Sequence, residues 1–184
     1  ETEAAKTNST RAQVSDEQIE RAAALIRSGR LVAFPTETVY GLGANALDAA
    51  AVRRVFEAKG RPNTSPLIVH VSSAEMARRE VVSEWPPAAQ ILTDRYWPGP
   101  LTLVLPKRAE IPDQVTAGLP TVGVRIPSHE VAERLLKAAS VPIAAPSANR
   151  FTELSPTSAQ HVQSSLGTAV DLILDGGPTT VGIE

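Results

Sequence analysis

Residues 31–44 read LVAFPTETVYGLGA. Leu31 to Phe34 are apolar at every position, the pattern of a strand buried on both faces. Pro35, Thr36, Glu37, Thr38, Tyr40, Gly41 and Gly43 follow within nine positions. A plain turn needs one or two such residues. This density predicts a strand that delivers hydroxyls and a carboxylate to the rim of a cleft. Residues 35–43 then form a polar loop, with Gly41 and Gly43 letting the backbone turn close to the cleft.

The chain on either side alternates helix and strand. Ser15 to Gln18 is a capping box ahead of Ile19, Ala23 and Ile26 at helical spacing, and Gly29 ends that helix. Asp48 caps a second helix carrying Val52, Val55 and Phe56, which runs out at Lys59-Gly60-Arg61-Pro62. PLIVHV (66–71) reads as a strand, and Ser72 or Ser73 caps a short helix through Met76. Pro86 and Pro87 open a helix that reaches Tyr96 and is broken by Trp97-Pro98-Gly99-Pro100. LTLVL (101–105), TVGVRIP (121–127), VPIAAP (141–146) and DLILDGG (171–177) read as further strands. A helix is expected from Ser128 to Ala139, and another with Ser155 as its cap and Pro156 at its first position. No composition break divides the chain. The expectation is one α/β domain over 15–184, a twisted mixed sheet flanked by helices, after a polar, disordered leader over 1–14. The sequence stops at Glu184, after the Gly-Gly turn and the pattern of a new strand start, so the domain is expected to be cut short inside an element.

Composition narrows the function classes. The 184 residues are 42% hydrophobic and 21% charged, ordinary for a globular domain. With 4% aromatic residues the core must be aliphatic. No cysteine is present, which excludes disulfides and thiolate metal sites. No apolar run approaches the ~20 residues of a membrane span, and no signal-peptide pattern is visible. A cytoplasmic protein is expected. The formal net charge of -2 argues against a dedicated nucleic-acid binder.

Polar residues recur just after strands, where open α/β sheets place ligand crevices. They are Thr36 to Tyr40, His70, Arg125, and Ser147 with Asn149. Each has a purely structural alternative. Thr36, Glu37 and Thr38 can cap turns, Lys59 can sit at a helix C-terminus for its dipole, His70 can be a packing residue, Ser147 and Asn149 can make an Asx-type turn, and Ser155 can be an N-cap. Arg125 is harder to dismiss, because a charge in a strand needs a partner or a ligand. Taken together, Lys59, Arg61, Arg125 and the hydroxyls suit a phosphate-bearing ligand. Neither a P-loop nor a Rossmann glycine motif is present. Three histidines without cysteine make a zinc centre a poor fit.

The blocks PTETVYGLGA, KGRPNTSPLIVHV, YWPGPLTLVL, GVRIPSH, APSAN, SPTSAQHV, LDGG and VGIE occur in this order. In this the chain resembles the threonylcarbamoyl-AMP synthases, the YrdC-like family, over about residues 15–184. The K-x-R pair (Lys59, Arg61) and the S-x-N pair (Ser147, Asn149) are that family's hallmarks. The resemblance implies a nucleotidyltransferase that makes L-threonylcarbamoyladenylate and pyrophosphate from L-threonine, bicarbonate and ATP, with Mg²⁺ accompanying the ATP. The product serves threonylcarbamoyladenosine modification of tRNA through a tRNA threonylcarbamoyl-transferase complex. The implied fold has a large concave cavity. Carried over by motif, Thr38, His70, Arg125 and the backbone at Ala145 hold L-threonine. Lys59, Arg61, Ser65, Thr121, Ser147, Asn149 and Ser155 line the ATP side, with Lys59 and Arg61 as the catalytic phosphate clamps. No protein ligand for a metal is assigned. Position 65 is serine where asparagine or lysine is common, and RFTELSPT follows Asn149 where a Ser-Gly pair is frequent. Two other readings stand beside this one: a module that binds double-stranded RNA, even weakly, and a carbamoyltransferase domain that handles carbamoyladenylate.

Overall fold

A computed structural model describes residues 14–183. Most of the leader read over 1–14 therefore lies outside the described residues, as does Glu184. Val14 itself is buried, and its carbonyl accepts from Arg134 NH1 at 2.9 Å.

The signals that open the first four helices hold. Ser15 Oγ accepts from the Gln18 N–H and the Gln18 side chain accepts from the Ser15 N–H, opening α1 (Asp16–Arg27). Asp48 caps α2 (Ala49–Lys59), and Ser73 caps α3 (Ala74–Met76), which continues as a π turn over Ala77–Val81. Pro87 is the first residue of α4 (Pro87–Tyr96). A short α5 (Asp113–Thr116), unforeseen, precedes α6 (Glu130–Ala139). The predicted start of α6 at Ser128 shifts: His129 is the cap, its Nδ1 accepting from the Val131 N–H. An accepting nitrogen must be unprotonated, and burial pulls the His129 pKa down despite Glu37, Glu130 and Glu133 nearby.

Among the described residues the seven strands are β1 (Val32–Pro35), β2 (Tyr40–Asn45), β3 (Ile68–His70), β4 (Leu103–Pro106), β5 (Thr121–Arg125), β6 (Ile143–Ala144) and β7 (Leu172–Ile173). They form one sheet in the order β4-β5-β3-β6-β2-β1-β7. The β3–β5 and β1–β7 pairs are parallel and the others antiparallel, so the sheet is mixed as expected.

One prediction fails here. Residues 40–43 are not loop but the first part of β2, paired with β1 through Pro35↔Tyr40 and Phe34↔Gly41. Gly41 and Gly43 make no turn. They clear space on the sheet face, since a Cβ on Gly43 would lie 2.8 Å from Phe34 Cε1 and 2.9 Å from Ile143 Cγ2. Tyr40 is likewise no rim residue. It is fully buried, with its hydroxyl donating to Gly177 O at 2.7 Å.

Strand alternation sends side chains to two unequal layers. One face packs on α2, α4, α5 and α7 (Ala159–Leu166) through Ala33, Tyr40, Leu42, Val69, Val124, Leu103 and Leu105. The other face packs on α1 and α6 through Val32, Phe34, Ile143 and Ala145. That second layer covers only the β6-β2-β1-β7 half. Over β3-β5-β4, Ile68 and Val104 stay 37% and 67% exposed, and they flank Gly123 in register. His70, Thr121 and Arg125 belong to the same half-face.

Candidate functional site

The first set of residues meets at Arg125, the last residue of β5. Its side chain is nearly buried, and its partners fix it on several sides. Nε donates to Gly99 O at 3.1 Å, NH2 donates to Glu37 Oε1 at 2.5 Å, and both terminal nitrogens lie 3.4 Å from Thr38 Oγ1. Gly99 comes from the Trp97–Pro100 breaker. A Cβ there would sit 2.4 Å from Tyr96 O, so only glycine lets that loop fold back onto the strand end. Glu37 Oε2 accepts from the Ser128 N–H at 3.1 Å.

The loop that supplies Glu37 and Thr38 is shaped by Thr36. Its Oγ1 accepts from the N–H groups of Thr38 and Val39, both at 3.2 Å, and donates to Val39 O at 2.7 Å. Thr36 thus has the turn-building role that threonines favour. Residues 180–182 buttress the loop from outside: Val181 N–H donates to Glu37 O at 3.0 Å and Gly182 N–H to Thr38 O at 2.9 Å.

His70 ends β3, paired with Arg125 in the parallel ladder and with Ile143 across β6. It is buried, edge-on to Phe34 at a centroid distance of 6.1 Å, and its Nδ1 has no hydrogen-bond partner. Burial first, and the Arg125 charge second, lower its pKa to about 3. His70 is therefore a neutral imidazole near pH 7. Ala145 follows β6, and its N–H is taken by Ile68 O at 2.9 Å. A ligand contact at Ala145 falls to its carbonyl.

The second set centres on Lys59, the last residue of α2. Although 2% exposed, its ammonium reaches two backbone carbonyls, Ser147 O and Asn149 O, each at 2.5 Å. The same segment is zipped to β2 by Leu42 N–H to Pro146 O and Ala148 N–H to Tyr40 O, both 2.8 Å, and by a bridge between Gly41 and Ser147. Asn149 Nδ2 donates to Arg150 O and Glu153 O, while its buried Oδ1 has no partner. Arg61 NH2 donates to Pro66 O at 3.2 Å, and the Ser65 N–H donates to Pro62 O at 3.2 Å in the same α2–β3 loop. Thr121 opens β5, on the face shared with Gly123 and Arg125.

Ser155 is not a helix cap. The cap of α7 is Ser158, whose Oγ accepts from the His161 N–H at 3.3 Å. Ser155 and Pro156 instead run beside β2, where Pro156 O accepts from the Tyr40 N–H at 2.8 Å. The polar residues do not all gather at one end of the strands. β6 runs antiparallel to β3, so Ser147 and His70 leave the sheet at opposite ends. Ser147 and His70 nonetheless share a side of the sheet, since Gly41 opposite Ser147 faces Phe34 and His70 lies edge-on to the same ring, whereas Lys59 reaches the segment from α2 on the other face. Glu37, given no ligand role by the sequence, proves to tie the Thr36–Thr38 loop to β5 and to the entry of α6. Its only sequence signal was a carboxylate among hydroxyls.

Among the described residues no three His, Cys, Asp or Glu side chains gather into a metal-binding group. No helix among them is long and apolar enough to cross a membrane.

Comparisons with known proteins extend this picture. The family model Sua5_yciO_yrdC, described as "Telomere recombination", matches residues 24–184. The threonylcarbamoyl-AMP synthase of Pyrococcus abyssi (strain GE5 / Orsay) is 53% identical over 95% of this chain and 51% of its own length. That of Halorhodospira halophila (strain DSM 244 / SL1) is 36% identical over 86% of this chain and 83% of its own. Among solved structures, P. abyssi Sua5 complexed with L-threonine superposes with a TM-score of 0.90 at 54% identity, over 92% of this chain and 50% of that one. The chain spans about half the length of the P. abyssi relative.

Proposed function

The chain belongs to the Sua5–YciO–YrdC family, and from that premise we propose that it carries the catalytic site of an L-threonylcarbamoyladenylate synthase. The observation that carries this reading is the shared sheet face. An arginine-centred set (Arg125, Thr38, His70) lies at the end of β5, and Ser147 of the lysine-held S-x-N segment sits opposite Gly41 on the Phe34 side of the sheet, where His70 also lies. The P. abyssi relative solved with L-threonine supports an amino-acid site in this fold.

In the proposed reaction the amine of L-threonine adds to the carbon of carbon dioxide formed from bicarbonate, and loses a proton to solvent. A carbamate oxygen then attacks the α-phosphorus of ATP. The bond from that phosphorus to the bridging oxygen breaks, and pyrophosphate leaves with the electron pair. No protein nucleophile is needed, so the chain's contribution is position and charge. Arg125 receives the threonine carboxylate on the donors that its present partners leave over. His70, being neutral, offers a ring nitrogen without adding charge. Arg61 faces the phosphates. Lys59 acts chiefly by shaping the 147–149 segment, so that Ser147 and the free Asn149 Oδ1 meet the nucleotide. Thr121, Ser65 and Ser155 complete the ATP side. Mg²⁺ arrives with the triphosphate as part of the substrate. The product would pass to a tRNA threonylcarbamoyl-transferase complex.

The test is pyrophosphate release from ATP and Mg²⁺, with L-threonine and bicarbonate each added or omitted. Release that requires both is expected. Release with carbamoyl phosphate replacing both would favour the carbamoyltransferase reading. Release with neither would remove the proposal.

A further inference from the structure

Glu37 has no part in the chemistry above, yet it is built into the site from four directions. It is 9% exposed. One carboxylate oxygen accepts from Arg125 NH2 at 2.5 Å and the other from the Ser128 N–H at 3.1 Å. Its backbone carbonyl accepts from the Val181 N–H at 3.0 Å and from the Thr180 hydroxyl at 3.3 Å. A buried carboxylate must be paired or hydrogen-bonded, and this one is both. It cannot shift without breaking contacts to β5, to the entry of α6 and to the 180–181 segment.

Two consequences follow for Arg125. A guanidinium is a rigid plane with five donors. Gly99 O holds it at Nε and Glu37 holds it at NH2, and two separated contacts on a rigid plane fix its orientation. The direction in which the remaining N–H groups point is therefore set before any ligand arrives. The second consequence is charge. Glu37 cancels Arg125, and the neighbouring His70 is neutral. A bare carboxylic acid entering this pocket brings an uncompensated negative charge into a buried place. An α-amino acid brings a carboxylate together with an ammonium, and the pocket stays neutral.

We infer that Glu37 is a positioning and specificity-determining residue: it sets the plane of Arg125 and balances its charge, so that the site selects an α-amino acid over the same acid without its amino group. The inference rests on the reading of Arg125 as the partner of the amino-acid carboxylate.

The experiment is a calorimetric titration of the whole chain and its Glu37→Gln and Glu37→Ala variants. The ligands are L-threonine, 2,3-dihydroxybutyrate and a non-hydrolysable ATP analogue. The parent should prefer threonine to the hydroxy acid. Glu37→Gln keeps volume and an acceptor oxygen but loses the charge. It should weaken threonine about tenfold and leave the hydroxy acid unchanged or tighter. Glu37→Ala should lose more, or fail to fold, in which case the glutamine variant carries the test. Affinity for the ATP analogue should stay within about twofold in the glutamine variant. A parental threonine-to-hydroxy-acid ratio in Glu37→Gln overturns the inference. So does a parallel loss of threonine and ATP analogue, which would mark a purely structural role. A parent that binds the ATP analogue but no threonine overturns the reading of the site itself, and the inference with it.

Discussion

The ammonium of Lys59 lies 2.5 Å from the carbonyl oxygen of Ser147, 88 positions away in sequence, and equally close to that of Asn149. A residue that the motif marks as a phosphate clamp is thus also the internal strut of the segment that carries the second motif. Through Lys59 the two hallmark pairs are physically joined.

Lys59→Met tests this strut. It keeps the apolar stem but leaves two buried carbonyls without their donor. Each unsatisfied acceptor costs about 1–3 kcal/mol, so a loss of roughly 2–6 kcal/mol is expected in a denaturant titration. Undiminished stability would mean that the ammonium does not hold the segment together.

Arg61→Ala should behave differently. Arg61 is only half-buried and holds the carbonyl of Pro66 at 3.2 Å. Its removal should abolish pyrophosphate release while stability changes by about 1 kcal/mol or less. Retained release would take Arg61 out of the phosphate site.

His70 predicts a pH dependence. Its pKa falls from 6.5 in the unfolded chain to about 3 in the fold, chiefly through burial. The unfolded state therefore binds the proton first as pH drops. The contribution is intact above about pH 6.5 and is lost as pH falls toward 3, at up to about 1.4 kcal/mol per pH unit. Denaturation midpoints measured from pH 7 to 4 should show this slope, and His70→Gln should flatten it. An unchanged slope in that variant would assign it to other groups.

Gly43→Ala probes the face that seats Phe34. The added methyl would meet Phe34 Cε1 and Ile143 Cγ2 inside contact distance. Overpacking of this kind costs about 1–3 kcal/mol. The thermal midpoint should drop, and adding Phe34→Leu should restore part of it. Full stability in the single variant would show that the strands separate freely there.

Ser158→Ala should cost about 1 kcal/mol of stability, as the loss of an N-cap does. Ser155→Ala leaves that cap intact and should cost less. The reverse order in thermal melts would return the helix start to Ser155.

What was legible in the sequence was local. The capping box at Ser15, the caps at Asp48 and Ser73, and the proline opening α4 each depend on atoms within a few positions, and all four stand in the structure. The mixed α/β sheet was readable for the same reason, from alternating periodicity. β2 was not. Two glycines in YGLGAN erase the usual strand signal, and the reason they are glycines is the Phe34 ring and Ile143, which lie elsewhere in the chain. The Ser155-Pro156 pair carries a valid local cap signal, overridden by a partner far earlier in the chain, Tyr40 of β2.

By itself, then, the sequence determined the element types, the aliphatic core and the set of polar residues worth watching, because propensity, capping and periodicity act over a few residues. Only the tertiary structure decided how those residues are used. It paired Glu37 with Arg125 across 88 positions and Lys59 with Ser147 across another 88. It also left one half of one sheet face uncovered. Such choices rest on which surfaces pack against which, and no short-range pattern records the outcome of that packing.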